Sequence, residues 1–129
     1  MKLTRDGLLA GLWLCLAGCA HPPVLLSTVA VQRDGATAAI KVSVRNAGHA
    51  ATTPIGVELI VTLPSGGGTW GQPESVIRPV PFVLNRREKR DLAARVKTDA
   101  EVIRTRLIIR EAENGHVVKD ETAETALPK

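Results

Sequence analysis

Two thiols, three imidazoles and several closely spaced guanidinium groups are the side chains of this chain best suited to chemistry. A nucleophile needs a base within hydrogen-bond reach, and a metal ion needs clustered ligands. His21, His49 and His116 are far apart in sequence, and each falls in a predicted tether or turn. There is no His-Glu-x-x-His, Gly-x-Ser-x-Gly or Cys-x-x-Cys pattern. Gly66-Gly67-Gly68 is followed by Thr69 and Trp70 rather than Lys-Ser/Thr, so it reads as a flexible loop and not a phosphate cradle. The expectation is a protein that is not an enzyme and uses no cofactor and no metal. Two features remain: the thiol of Cys19, and a basic and aromatic set formed by Trp70, Arg104, Arg106 and Arg110.

Cys19 closes a leader. Lys2 and Arg5, partly offset by Asp6, precede the apolar run Leu8-Leu9-Ala10-Gly11-Leu12-Trp13-Leu14-Cys15-Leu16. This is a basic n-region and an h-region of secretory length. The run is too short for a membrane-spanning helix, which needs roughly 20 apolar residues, and Pro22 and Pro23 stop its extension. Small residues at Ala17 and Gly18 suit a peptidase that cuts before the cysteine. An ordinary signal peptide or a short signal anchor would share most of these features. Leu16-Ala17-Gly18-Cys19 resembles the lipobox of bacterial lipoproteins. That resemblance implies a diacylglycerol on the Cys19 thiol and acylation of the new amino group, because one acyl chain holds a protein only marginally. It implies a domain anchored by lipid on the periplasmic side of a membrane. Ala20 in place of Asp points to the outer membrane of a Gram-negative envelope.

Without residues 1–18 the chain is about 110 residues, one domain able to bury a core. The leader removes Lys2, Arg5 and Asp6, so the formal charge of +4 falls by one, which implies no nucleic-acid partner. Cys15 leaves with the leader and Cys19 carries lipid, so stability must come from apolar burial without a disulfide. Trp70 and Phe82 are the aromatics that remain, and there is no Tyr. Stacking platforms for sugars or single-stranded nucleic acid need more, and no small-molecule substrate is evident.

Positioning falls to β-strands. Ile40, Val42 and Val44 alternate with Lys41, Ser43 and Arg45, the period-two mark of a half-buried strand. Val57, Leu59, Val61 and Leu63 form a second inward row. Leu92, Ala94 and Val96 form a third, and Ile103, Thr105, Leu107 and Ile109 a fourth. A first strand is expected over 25–32, a last over 116–122, and a short one over 82–84, making about seven. Asp34-Gly35, Asn46-Ala47-Gly48, residues 64–68 and Asn114-Gly115 supply the turns, the last being the best hairpin signal. Pro79 and Pro81 make 76–81 an edge or irregular segment. The expected layout is a leader over 1–18, a lipidated tether over 19–24, an all-β immunoglobulin-like two-sheet antiparallel sandwich over 25–122, and a flexible tail over 123–129.

The segment from Ile40 to Ala51, with Val44-Arg45-Asn46-Ala47-Gly48, resembles immunoglobulin-like modules of the CARDB and fibronectin-III-like type. The order of segments 90–97, 104–110 and 113–120 matches the E, F and G strands of such modules. The resemblance covers most of the mature chain and speaks to fold, since function belongs to sites rather than folds.

Arg104, Arg106 and Arg110 should share one outer face, and Arg86, Arg87, Lys89 and Arg90 form a separate basic run. Either could meet an acidic protein, lipopolysaccharide phosphates or anionic headgroups. Equally, either could be a solvated face neutralised by Glu58, Asp91, Glu111 and Glu113. Trp70 is either an interface anchor on a mobile loop or a lid over one open end of the sandwich. The expected role is a non-catalytic protein-binding or assembly component of the envelope, with another envelope protein as partner. A periplasmic chaperone or pilotin-like factor for a secreted or amyloid-forming subunit, and a structural spacer, are the alternatives.

Overall fold

The alternating rows become two facing antiparallel sheets. The computed structural model describes residues 23–128, so the leader expected over 1–18 and Cys19 lie outside the described residues. The strands are β1 (Leu25–Asp34), β2 (Thr37–Asn46), β3 (Ile55–Thr62), β4 (Pro64–Gly66), β5 (Thr69–Trp70), β6 (Glu74–Ile77), β7 (Lys89–Lys97), β8 (Val102–Glu111) and β9 (Val117–Ala126). One sheet has the order β1-β2-β7 and the other β6-β3-β8-β9, while β4 and β5 form a small separate ribbon. No helix occurs among the described residues.

The four expected inward rows meet between the sheets. Ile40, Val42 and Val44 face Val57, Leu59, Val61, Ile103, Leu107 and Ile109 in one buried cluster, with Leu92 and Val96 from β7. At about 25 cal/mol per Å² of apolar surface removed from water, this cluster supplies the main drive to fold. Two turns hold the register. Asp34 pairs with Thr37 across Gly35, whose φ of 63° suits a residue without Cβ. In the β8–β9 turn Gly115 has φ 71°, and the Asn114 side-chain oxygen accepts from the His116 N–H at 2.8 Å.

Asn46 is the polar centre of one end. It is fully buried at the close of β2. Its Oδ1 accepts from the N–H groups of Gly48 (3.0 Å) and Val24 (3.3 Å). Its Nδ2 lies 2.7 Å from the Ala50 carbonyl, 3.2 Å from that of Leu84 and 3.3 Å from that of Asn85. One amide thus ties the entry into β1, the β2–β3 loop and the approach to β7. Arg33 does a similar task at the other end, donating to the carbonyls of Thr98, Ala100 and Leu127.

Three expectations change. The strand count is nine rather than seven, because 64–70 folds into a ribbon and β6 forms on the edge of β3. The short strand over 82–84 is a single bridge between Phe82 and Ile55. Pro79 and Pro81 hold φ at about −65° on either side of Val80, away from the extended values of an antiparallel ladder, and no strand grows from the bridge. The polypeptide instead continues to Leu84, which is buried and exchanges hydrogen bonds with Thr52. The frayed tail over 123–129 is also corrected: β9 runs to Ala126. Beyond it Leu127 is 1% exposed and donates to the Glu101 carbonyl at 2.7 Å. Polar residues hide this stretch in sequence because β9 is an edge strand at the margin of the core. The edge or irregular segment expected over 76–81 is present: Val76 and Ile77 end the edge strand β6, and 78–81 carries no strand, with Pro79 close against β3. A Cβ on Gly56 would stand 2.9 Å from the Pro79 Cβ.

Candidate functional site

On β8 the even-numbered residues face away from the core, so Arg104, Arg106 and Arg110 share the outer face of the four-stranded sheet. Each meets a carboxylate from a neighbouring strand. Arg106 and Asp120 form a two-pronged pair, Nε to Oδ1 at 2.9 Å and Nη2 to Oδ2 at 2.7 Å. Arg104 reaches Glu124 Oε2 at 2.8 Å from Nη2, and Arg110 reaches Glu58 Oε1 at 3.4 Å. Between Arg106 and Arg110 on the same face, with Glu58 and Asp120 at its register on β3 and β9, lies Ile108, an outward residue that is nonetheless 3% exposed. Arginine stems readily cover apolar surface while their heads stay wet.

Trp70 joins this row. It sits in β5 opposite Pro64, and the Arg104 guanidinium carbon lies 4.2 Å from its ring centroid. A cation over an indole face gains about 0.5–1 kcal/mol at an exposed site. The ring lies in a short β-ribbon, half-buried against Arg104 on the outer sheet face and outside the core cluster. Beside it Ile60, Thr62, Pro73, Arg104, Arg106, Asp120 and Thr122 line a shallow depression of about 540 Å³.

The ionic ladder is only partly the one expected. Glu58 neutralises Arg110, but Asp91 belongs to the other sheet, where it meets Lys41 and accepts from the Ser43 hydroxyl at 2.7 Å. Glu111 accepts from Asn114 instead, and Glu113 makes no ion pair among the described residues. Sequence reasoning missed Asp120 and Glu124. The Asn114-Gly115 turn was the available signal, because it sets the β8–β9 register that pairs Arg104 with Glu124.

The hydrogen bonds from Arg106 hold the Asp120 carboxyl below the usual carboxylate range, and Ser43 does the same for Asp91. A carboxylate with a lowered folded-state value adds stability above its unfolded value and loses it as pH falls through the folded one. Stability should therefore decline below about pH 4. Asp120→Asn should make that decline shallower, as read by thermal melts from neutral to acid pH. An unchanged acid slope would show that the pair contributes nothing to folding.

No group of three or more His, Cys, Asp or Glu able to hold a metal occurs among the described residues. No helix among them is long and apolar enough to cross a membrane.

A β1-β2-β7 sheet packed on a β6-β3-β8-β9 sheet defines an all-β sandwich with a CARDB-like arrangement. No family model matches the chain, and no curated protein matches it. Solved structures do. A protein of Bordetella pertussis given the name ApaA superposes with TM-score 0.58 at 15% identity, over 84% of this chain and 97% of that one. The solution structure of a CARDB domain from Pyrococcus furiosus gives TM-score 0.53 at 15% identity, over 82% and 95%. At such identity the likeness establishes the fold alone.

Proposed function

We propose that the chain is a lipid-anchored lipoprotein of the periplasmic face, most consistent with the outer membrane. Its sandwich binds another envelope protein without catalysing a reaction. The observation that carries the binding role is the Trp70–Arg104 stack on an open sheet face, continued by Arg106 and Arg110. Trp and Arg dominate interface energetics because they pair large contact area with directed polarity. The leader and Cys19 support the anchor.

Crosslinking and pull-down from membranes tests this reading. Wild type should enrich a specific envelope protein. Trp70→Ala should weaken that capture by roughly 30-fold, the scale of a hot-spot loss. Arg104→Glu/Arg106→Glu should abolish it. The swap Arg106→Asp/Asp120→Arg controls for folding, since it keeps the ion pair but moves the charge, and it should fold without binding. Cys19→Ala should leave the membrane fraction. If no variant changes capture, the chain is a spacer; if Cys19→Ala stays membrane-bound, the lipid anchor is wrong.

A chaperone or pilotin-like role is favoured by one different observation. β9 is a ten-residue strand at the sheet edge, paired with β8 on one side, and such an edge can accept a client strand. Delay of client aggregation at substoichiometric ratio would distinguish that role.

A further inference from the structure

The two ends of the sandwich differ. The first is built from the start of β1, the β2–β3 loop, residues 78–88 and the β8–β9 turn. Pairing of Leu25 with Asn46, Arg45 with Lys89, and Ile55 with both Glu111 and Phe82 places them together. The exposed large hydrophobics of the described residues, Val24, Leu26, Val80, Val83, Val117 and Val118, are all at this end. Val80 is 70% exposed. Arg45, Arg86, Arg87 and Lys89 are here too. The first three make no ion pair among the described residues, unlike the arginines of the β8 row. Asp91, which pairs with Lys89 at 3.8 Å, and Glu88, Glu111 and Glu113 offset them only in part. The opposite end carries Asp34, Asp99 and Glu101 beside Arg33, Arg95 and Lys97, with Asp34 paired to Arg95, and it has none of these exposed hydrophobics.

We propose that the first end docks on an anionic phospholipid surface, with the valines at headgroup depth and Arg86, Arg87 and Lys89 against the phosphates. This rests on the lipid-anchor reading of Cys19, because the chain leaves the sandwich at this end. From Cys19 to Leu25 a fully extended chain spans only about 20 Å, so an acylated Cys19 brings this end to the bilayer. With Cys19 held by its acyl chains, the basic patch meets anionic headgroups at high effective concentration and fixes which end of the sandwich faces the bilayer. Docking this way turns Trp70 and Arg104, near the far ends of β3 and β8, toward the periplasm, where a protein partner can reach them.

Residues 20–129 hold all nine strands and the whole buried core, so they serve for the test without the leader. They are mixed with vesicles of phosphatidylcholine, alone or with phosphatidylglycerol. Sedimentation with the anionic vesicles, reversed by salt, is expected. Each basic residue near such a surface contributes about fivefold in affinity. Arg86→Glu/Arg87→Glu should thus weaken binding tenfold or more, and Lys97→Glu at the opposite end far less. Brominated lipid should quench a Val80→Trp chain and leave Trp70 of the wild type bright. No sedimentation, equal binding by the reversed chain, self-association through this end in place of vesicle binding, or quenching of Trp70 instead would each overturn the docking. Lipidation is read separately, from the acyl mass on Cys19 in cells. A normal acyl mass with no vesicle binding sinks the docking alone, and the reverse sinks the anchor alone.

Discussion

Leu107→Asp is expected to leave the domain without a cooperative unfolding transition. Leu107 is 1% exposed at the centre of β8, between β3 and β9 and against the β2 row. Removing its side chain costs about 2–5 kcal/mol for lost burial and the cavity left behind. The new carboxylate adds a desolvation cost of several kcal/mol, because no basic side chain faces that position from within the core. Together these match the roughly 5–15 kcal/mol that holds a domain of this size folded. Val42→Asp should behave in the same way. Lys41→Asp, one residue along and outward, loses only a surface pair with Asp91 at 3.5 Å and gains a like charge beside it. A cost under about 1 kcal/mol is expected there. Circular dichroism melts of the three variants decide the matter: a folded Leu107→Asp chain would refute the inward assignment of β8.

Asn46→Ala has the next largest expected effect. The substitution removes the amide that accepts from two N–H groups and reaches three carbonyls, and it does so where water does not enter. A buried polar group left without a partner costs about 1–3 kcal/mol. Several are orphaned at once, and some relaxation is available, so a loss of about 3 kcal/mol is expected. In a domain of this length that lowers the melting midpoint by about 10–20 °C. Asn46→Asp separates the two halves of the amide. It keeps the acceptor toward Gly48 and Val24 but sets a carboxylate against three carbonyl oxygens, so at neutral pH it should cost at least as much. An unfolding free energy from urea titration within about 1 kcal/mol of wild type for both variants would show that the ends of β1, β2 and the 78–88 segment hold together without this residue.

Sequence and structure part company where side chains stop reporting burial. The rows on β2, β3, β7 and β8 were legible because each strand has one face in the core, and alternation of apolar and polar residues is the direct record of that. β9 was legible only to Thr122, because an edge strand at the margin of the core has little apolar alternation to show. Residues 64–70 read as a loop because glycine permits many conformations and marks none. Ile108 broke the pattern of its strand, an outward isoleucine between arginines, and only the arrangement of Arg106, Arg110, Glu58 and Asp120 explains it. Of the candidate binding residues, the three arginines were placed correctly by parity alone. Trp70 was not, since its partner Arg104 is 34 positions away and belongs to another sheet.

By itself, then, the sequence determined an all-β sandwich, its inward rows and its principal turns, because period-two burial and turn chemistry are local. It also carries the expectation of a leader that closes at Cys19, which rests on order along the chain and needs no fold. Tertiary structure alone decided which carboxylate neutralises which arginine and that Trp70 lies on the outer sheet face. It alone gathered the exposed valines and unpaired basic residues at the end where the chain emerges. These are relations between residues far apart in sequence, and strand order and register bring them into contact.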